Sequence, residues 1–204
     1  MSDIEFSVSP DIEAGVARAV HNIGTVGASW TAAERIAIAA SARRAFASST
    51  DHVPSVLPDG VAALAARTAT AAHDVTVGDV NAFDQPEAFV ELVGVVARTT
   101  AIDTFCRGIG RPAPALVATD EHPPTGRVHR GAKRRSAYVP TVGPAGATTA
   151  LSAVPAEDAA QADLHGALYL TYAEMGDLHI VKGLPRWQLE LVAARTSLIN
   201  RCFF

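Results

Sequence analysis

The chain has 204 residues, enough for one full domain or two small ones. Its 17 Lys plus Arg against 21 Asp plus Glu give a net charge of −4, which excludes a histone-like nucleic-acid coat with a basic footprint. Hydrophobic residues make up 49%, which excludes disorder of the whole chain, and with aromatics at 6% much of that share is Ala, suited to closely packed helices.

In chain order, Ser9 reads as an N-cap, Pro10 as the first helical residue, and Asp11 and Glu13 as first-turn anions favoured by the helix dipole. Ile12, Val16, Val20 and Ile23 recur at helical spacing, and Gly24 is a stop signal. Thr31 and Glu34 have the spacing of a capping box and predict a second helix through Phe46. A third is expected over about 59–73. A fourth starts at Asp84, with Glu87 again at the capping-box position, and runs to Gly108. Helices resume over about 156–170 and 173–181, and Pro185 opens the last, through Ile199. No stretch alternates convincingly with period 2.

Between these sets lies a segment of different character, 111–146. It holds six of the twelve prolines and a small basic cluster, Arg127, Arg130, Lys133, Arg134 and Arg135. It reads as a linker or extended arm. Without interleaved aromatics, and on an acidic chain, the cluster argues for a solvated tether rather than a nucleic-acid contact.

Two cysteines, Cys106 and Cys202, are too few for a disulfide-stapled fold or a four-Cys zinc site. No apolar run approaches the roughly 20 residues of a membrane span, and the start lacks a secretory pattern, so a cytoplasmic protein is expected. The seven histidines show no metal-binding spacing. The loose group His165, Glu174, Asp177 and His179 reads as surface or capping residues. No Walker, Rossmann or Gly-x-Ser-x-Gly signature is present. Neither a metal nor a cofactor is therefore expected. Cys106, on an apolar helix, reads as a small core residue.

The C-terminus carries the chemistry. Glu190 stands on a mostly apolar helix, twelve residues before Cys202. Twelve helical residues rise about 18 Å, so the two side chains meet only across a packing interface or through a break near Asn200. As an N-cap, Asn200 would place Cys202 in the first turn of a new helix beside Arg201. Dipole and cation would then favour the thiolate, and a nearby carboxylate would be a candidate proton acceptor.

Glu190, eleven intervening residues and Cys202 resemble the core motif of the alkylhydroperoxidase D and carboxymuconolactone decarboxylase superfamily, Glu-x11-Cys-x-x-Cys-x-x-x-His on an all-helical fold. The resemblance implies Cys202 as the first redox cysteine and Glu190 as part of the proton relay. The second redox position would be 205 and the His position 209. The run Glu34-Arg35-Ile36-Ala37-Ile38-Ala39-Ala40 resembles a degenerate copy, with Phe46 and Ser49 at the thiol positions and His52 one residue off. The segment from Val90 through Glu91 to Gly110 resembles the helix that closes such a unit.

The resemblance implies an all-α fold divided into a helical unit without the Cys pair (1–110), the arm (111–146) and the first helices of a second unit (147–204). Some relatives carry selenocysteine at a redox position. That suggests a native product continuing past Phe204, with selenocysteine at position 205. The expected function is thiol-dependent peroxide reduction by Cys202 and Glu190, with an external dithiol as reductant. The alternative is a non-catalytic helical scaffold. A third reading is a decarboxylase-type site between helices that uses no cysteine. A half unit cannot bury its own apolar face, so homo-oligomerisation is expected.

Overall fold

The computed structural model describes residues 7–47 and 56–202. Ser49 and His52 lie outside the described residues, as do Phe203 and Phe204. The described chain is mostly helical: α1 (Pro10–Ile23), α2 (Ala32–Ala47), α3 (Val61–Thr70), α4 (Val77–Asn81), α5 (Pro86–Gly108), α6 (Pro155–Leu168) and α7 (Arg186–Ile199). Two minimal antiparallel pairs complete it, β1 (Lys133–Arg134) with β2 (Pro140–Thr141), and β3 (Val181–Lys182) with β4 (Leu184–Pro185). No helix among the described residues is long and apolar enough to cross a membrane.

Local signals set most boundaries. The Ser9 hydroxyl accepts from the Ile12 amide, and Gly24 caps the end of α1. Thr31 and Glu34 form the capping box in both directions, at 2.8 and 3.3 Å. The Asp84–Glu87 pair does not. Pro86 takes the first position of α5 behind Gln85, whose side chain caps nothing. Thr76 and Asp79 build an unforeseen capping box, and it opens the short α4.

The helix expected over 173–181 is not formed. Thr171 and Glu174 exchange side-chain-to-backbone hydrogen bonds at its start, but they open a single 3-10 turn, Glu174–Gly176. After it the chain turns extended at Asp177, and Gly183, at φ 73°, makes the tight turn between β3 and β4. Only glycine takes that backbone without strain.

Helix α5 is the axis of the core. α1, α2, α3 and α6 pack on it, and α6 also lies along α1. Ile23, Ile38, Leu92, Val95, Ile102 and Leu164 are fully or almost fully buried, each contributing about 1.5–3 kcal/mol by its burial. Gly15 permits the close approach of α1 and α6, because a Cβ there would meet the Ala167 methyl at 2.5 Å. Arg18 clamps the same pair by a two-pronged ion pair to Asp163, 2.8 Å on each prong.

The proline-rich arm is held on this core. Amides of Thr119, Thr125 and Gly126 donate to carbonyls of Gly24, Gly27 and Ala28 at 2.8–2.9 Å. Two of the five basic residues are spent on the chain itself: Arg134 on Asn81, and Arg135 on the carbonyls of Thr141 and Gly143.

Candidate functional site

Helix α7 carries both residues singled out by sequence. It runs unbroken to Ile199, with Asn200 at φ −83°, ψ 2° as its C-cap. Arg201 follows in the left-handed region at φ 53°. The Cys202 amide donates to the Ser197 carbonyl at 2.9 Å and the Arg201 amide to Leu198 at 3.3 Å. These two bonds form a Schellman closure. Asn200 therefore ends a helix where the sequence suggested that it begins one. Cys202 is exposed, just past the carbonyl end of the helix.

Glu190 lies in the second turn of the same helix. Its carboxylate accepts from the Tyr169 hydroxyl at 2.9 Å and pairs with Arg186 one turn earlier at 2.8 Å. It is half exposed rather than buried. Burial and this hydrogen bond push the Tyr169 hydroxyl above its usual range. The ring of His165 stands edge-on to Tyr169 at 5.4 Å. Nine helical residues, a rise of about 13 Å, separate Glu190 from the end of α7 at Ile199, and Cys202 lies beyond that end, so the helix does not bring the two side chains together.

Cys202 lines a cavity of about 680 Å3 between the end of α3, the middle of α5 and the end of α7. Phe46, Phe105, Leu168 and Ile199 give it an apolar wall, and Thr68, His73 and Asn200 supply polar groups. His73 Nε2 lies 3.4 Å from the Arg201 guanidinium. The volume falls within the usual range for small-molecule sites.

The second cysteine is elsewhere. Cys106 is buried in α5, and burial, with Asp103 nearby, pushes its thiol up. It has the character of an inert core residue.

A second cluster went unrecognised in the sequence. Arg35 (α2), Glu91 and Arg98 (α5) and Glu157 (α6) are 0–1% exposed and form one chain of ion pairs. Arg35 Nη1 lies 2.5 Å from Glu91 and 2.8 Å from Glu157, and Arg98 pairs with the other Glu157 oxygen. Glu91 also accepts from the Ser29 amide at 2.7 Å, and Arg35 donates to the Asn22 carbonyl at 3.0 Å. Burial and the neighbouring Glu157 carboxylate push Glu91 up, whereas Arg98 and Arg35 together hold Glu157 below the usual range despite its burial. The sequence signal was an Arg and a Glu seven apart in the apolar run 90–102, a spacing that places both on one helix face.

No protein-family model matches the chain, and no curated protein or solved structure is significantly similar to it. The sites therefore stand on their own geometry. The buried cluster touches no cavity wall described above, and its charges sum to zero, so it is suited to locking three helices in register. The Cys202 cavity combines an exposed thiol, an imidazole and room for an organic molecule. Among the described residues, no group of three or more His, Cys, Asp or Glu is arranged to hold a metal ion.

Proposed function

We propose that this protein is an alkylhydroperoxidase-related oxidoreductase in which the Cys202 thiol reduces a peroxide, on an alkylhydroperoxidase D-like helical bundle. The observation that supports the reading is an exposed thiol on the wall of a cavity of about 680 Å3 that also carries His73. The thiol sulfur attacks the distal peroxide oxygen and the O–O bond breaks. Sulfur takes that oxygen as a sulfenic acid, and the other leaves as an alcohol with the proton given up by the thiol. An external dithiol then condenses with the sulfenic acid, releasing water. Its second thiol displaces Cys202, restoring the thiol and leaving the oxidised disulfide. His73, on the wall of the same cavity, carries the proton. Glu190 serves as proton acceptor only from another subunit, because it stands in the second turn of α7 while Cys202 lies beyond the opposite end of that helix.

Peroxide consumption with dithiothreitol tests the reading. A rate lost in Cys202→Ser and lowered in His73→Ala supports it, and equal rates for wild type and Cys202→Ser overturn it.

A second reading, a non-catalytic helical scaffold that oligomerises, is favoured by Trp187, Leu191 and Leu198, large apolar side chains left exposed on α7. An unreactive Cys202 at neutral pH would select it.

A further inference from the structure

A second cavity, of about 520 Å3, opens between the start of α3, the end of α4 and the turn into α5. No residue of its wall also lines the Cys202 cavity. Its volume, too, falls within the usual range for small-molecule sites. Trp30, Val61 and Leu64 form the buried part of the wall, and the half-buried Phe83 ring adjoins them. The two rings are held in place. The Trp30 indole N–H donates to the Ala88 carbonyl at 2.9 Å, and Phe83 stands edge-on to Trp30 at 6.3 Å and to Phe89 at 5.9 Å. With its N–H taken, Trp30 offers a ligand the ring itself rather than a donor.

Four charged side chains line the rest of the cavity. Arg67 and Asp79 pair with each other, and Asp79 also accepts from the Thr76 amide in the capping box of α4. Asp59 and Asp84 remain. The cap positions of α3 and α5 fall on Gly60 and Gln85, so neither carboxylate caps a helix. Neither has a hydrogen-bond or ion-pair partner among the described residues. One lies on the segment leading into α3 and the other on the segment leading into α5, so each side of the opening contributes an unpaired carboxylate.

The wall therefore holds three carboxylates against one guanidinium. The positive end of α3, about half an elementary charge, offsets only part of that excess. An anion is repelled, and a neutral molecule gains nothing from the two carboxylates. We propose that this cavity binds an organic cation, an ammonium group carried on an apolar or aromatic body. The body covers the apolar wall, Asp59 and Asp84 supply the opposite charge, and the electron-rich faces of Trp30 and Phe83 attract a cation more than a neutral group. The site uses neither Cys202 nor His73, so it stands or falls independently of the peroxide chemistry.

Trp30 reads the site directly. In a Trp187→Phe background it is the only tryptophan of the chain, so its fluorescence during a titration with phenethylamine at neutral pH reports on this cavity. Half-saturation is expected at about 1 mM or below. Phenethyl alcohol and hydrocinnamate, which carry a similar body without the positive charge, should bind about tenfold more weakly or worse. Asp59→Asn and Asp84→Asn, both at exposed positions, should each weaken phenethylamine binding about threefold and together about tenfold, with unchanged circular dichroism. No fluorescence response up to about 10 mM amine overturns the proposal. Phenethyl alcohol bound as tightly as the amine overturns it as well, as does an affinity indifferent to both Asn substitutions.

Discussion

The Arg35 guanidinium reaches across from α2 to the Glu157 carboxylate of α6, 2.8 Å away, with both side chains 1% exposed. That contact ties residues 122 positions apart and joins the second half of the chain to the first. Breaking a buried pair leaves an uncompensated charge, so it costs far more than the pair contributes.

Glu157→Gln should therefore destabilise the fold by about 3–5 kcal/mol in chemical denaturation, because it strands parts of both Arg35 and Arg98. Glu91→Gln should cost less, since burial already pushes that carboxyl up and its amide oxygen still accepts from Ser29. The reverse order of midpoints would contradict the assigned charge balance.

The two carboxylates also have opposite pH signatures. Glu157 is held below its unfolded value of about 4.3, so its stabilisation is full above that pH and is lost as pH falls through the folded value. Glu91 is raised, so it costs stability at neutral pH and that cost is relieved on acidification through its folded value. Denaturation midpoints measured from neutral to acid pH should show Glu157→Gln with a weaker acid loss than wild type.

Gly94 sits beneath Glu157, and a Cβ there would collide with that carboxylate and crowd the Arg98 guanidinium at 3.3 Å. Gly94→Ala normally favours a helix by about 1 kcal/mol. Here it should lower the melting temperature instead, which thermal unfolding by circular dichroism will show.

Arg201 occupies the left-handed position that closes α7. A side chain there costs roughly 1–2 kcal/mol relative to glycine. Arg201→Gly should raise the melting temperature while loosening the contact with His73, and a drop would mean that the guanidinium outweighs the backbone strain.

The two thiols should separate cleanly. Iodoacetamide at neutral pH should modify Cys202 on the native protein, and Cys106 only after unfolding, because burial raises and shields its thiol. Peptide mass mapping reads both sites, and prompt modification of Cys106 would contradict its place in the core.

The sequence by itself determined what is local. Ser9 and Pro10 opened α1, Thr31 with Glu34 opened α2, and Pro185 marked α7, because caps and helical spacing act within one turn. The proline-rich arm was legible from composition, and so was Cys106 as a core residue. Tertiary structure alone decided the rest. Arg35, Glu91, Arg98 and Glu157 look like four separate surface charges until three helices cross and remove the water around them. Glu190 and Cys202 stand twelve residues apart in sequence, yet α7 sets them towards opposite ends of one helix. Arg98, Thr99 and Ile102 are buried in α5, while Arg195, Thr196 and Ile199, the same residues at the same spacing, are exposed in α7. Burial belongs to the neighbours a helix acquires, and spacing records only which side is ready for them.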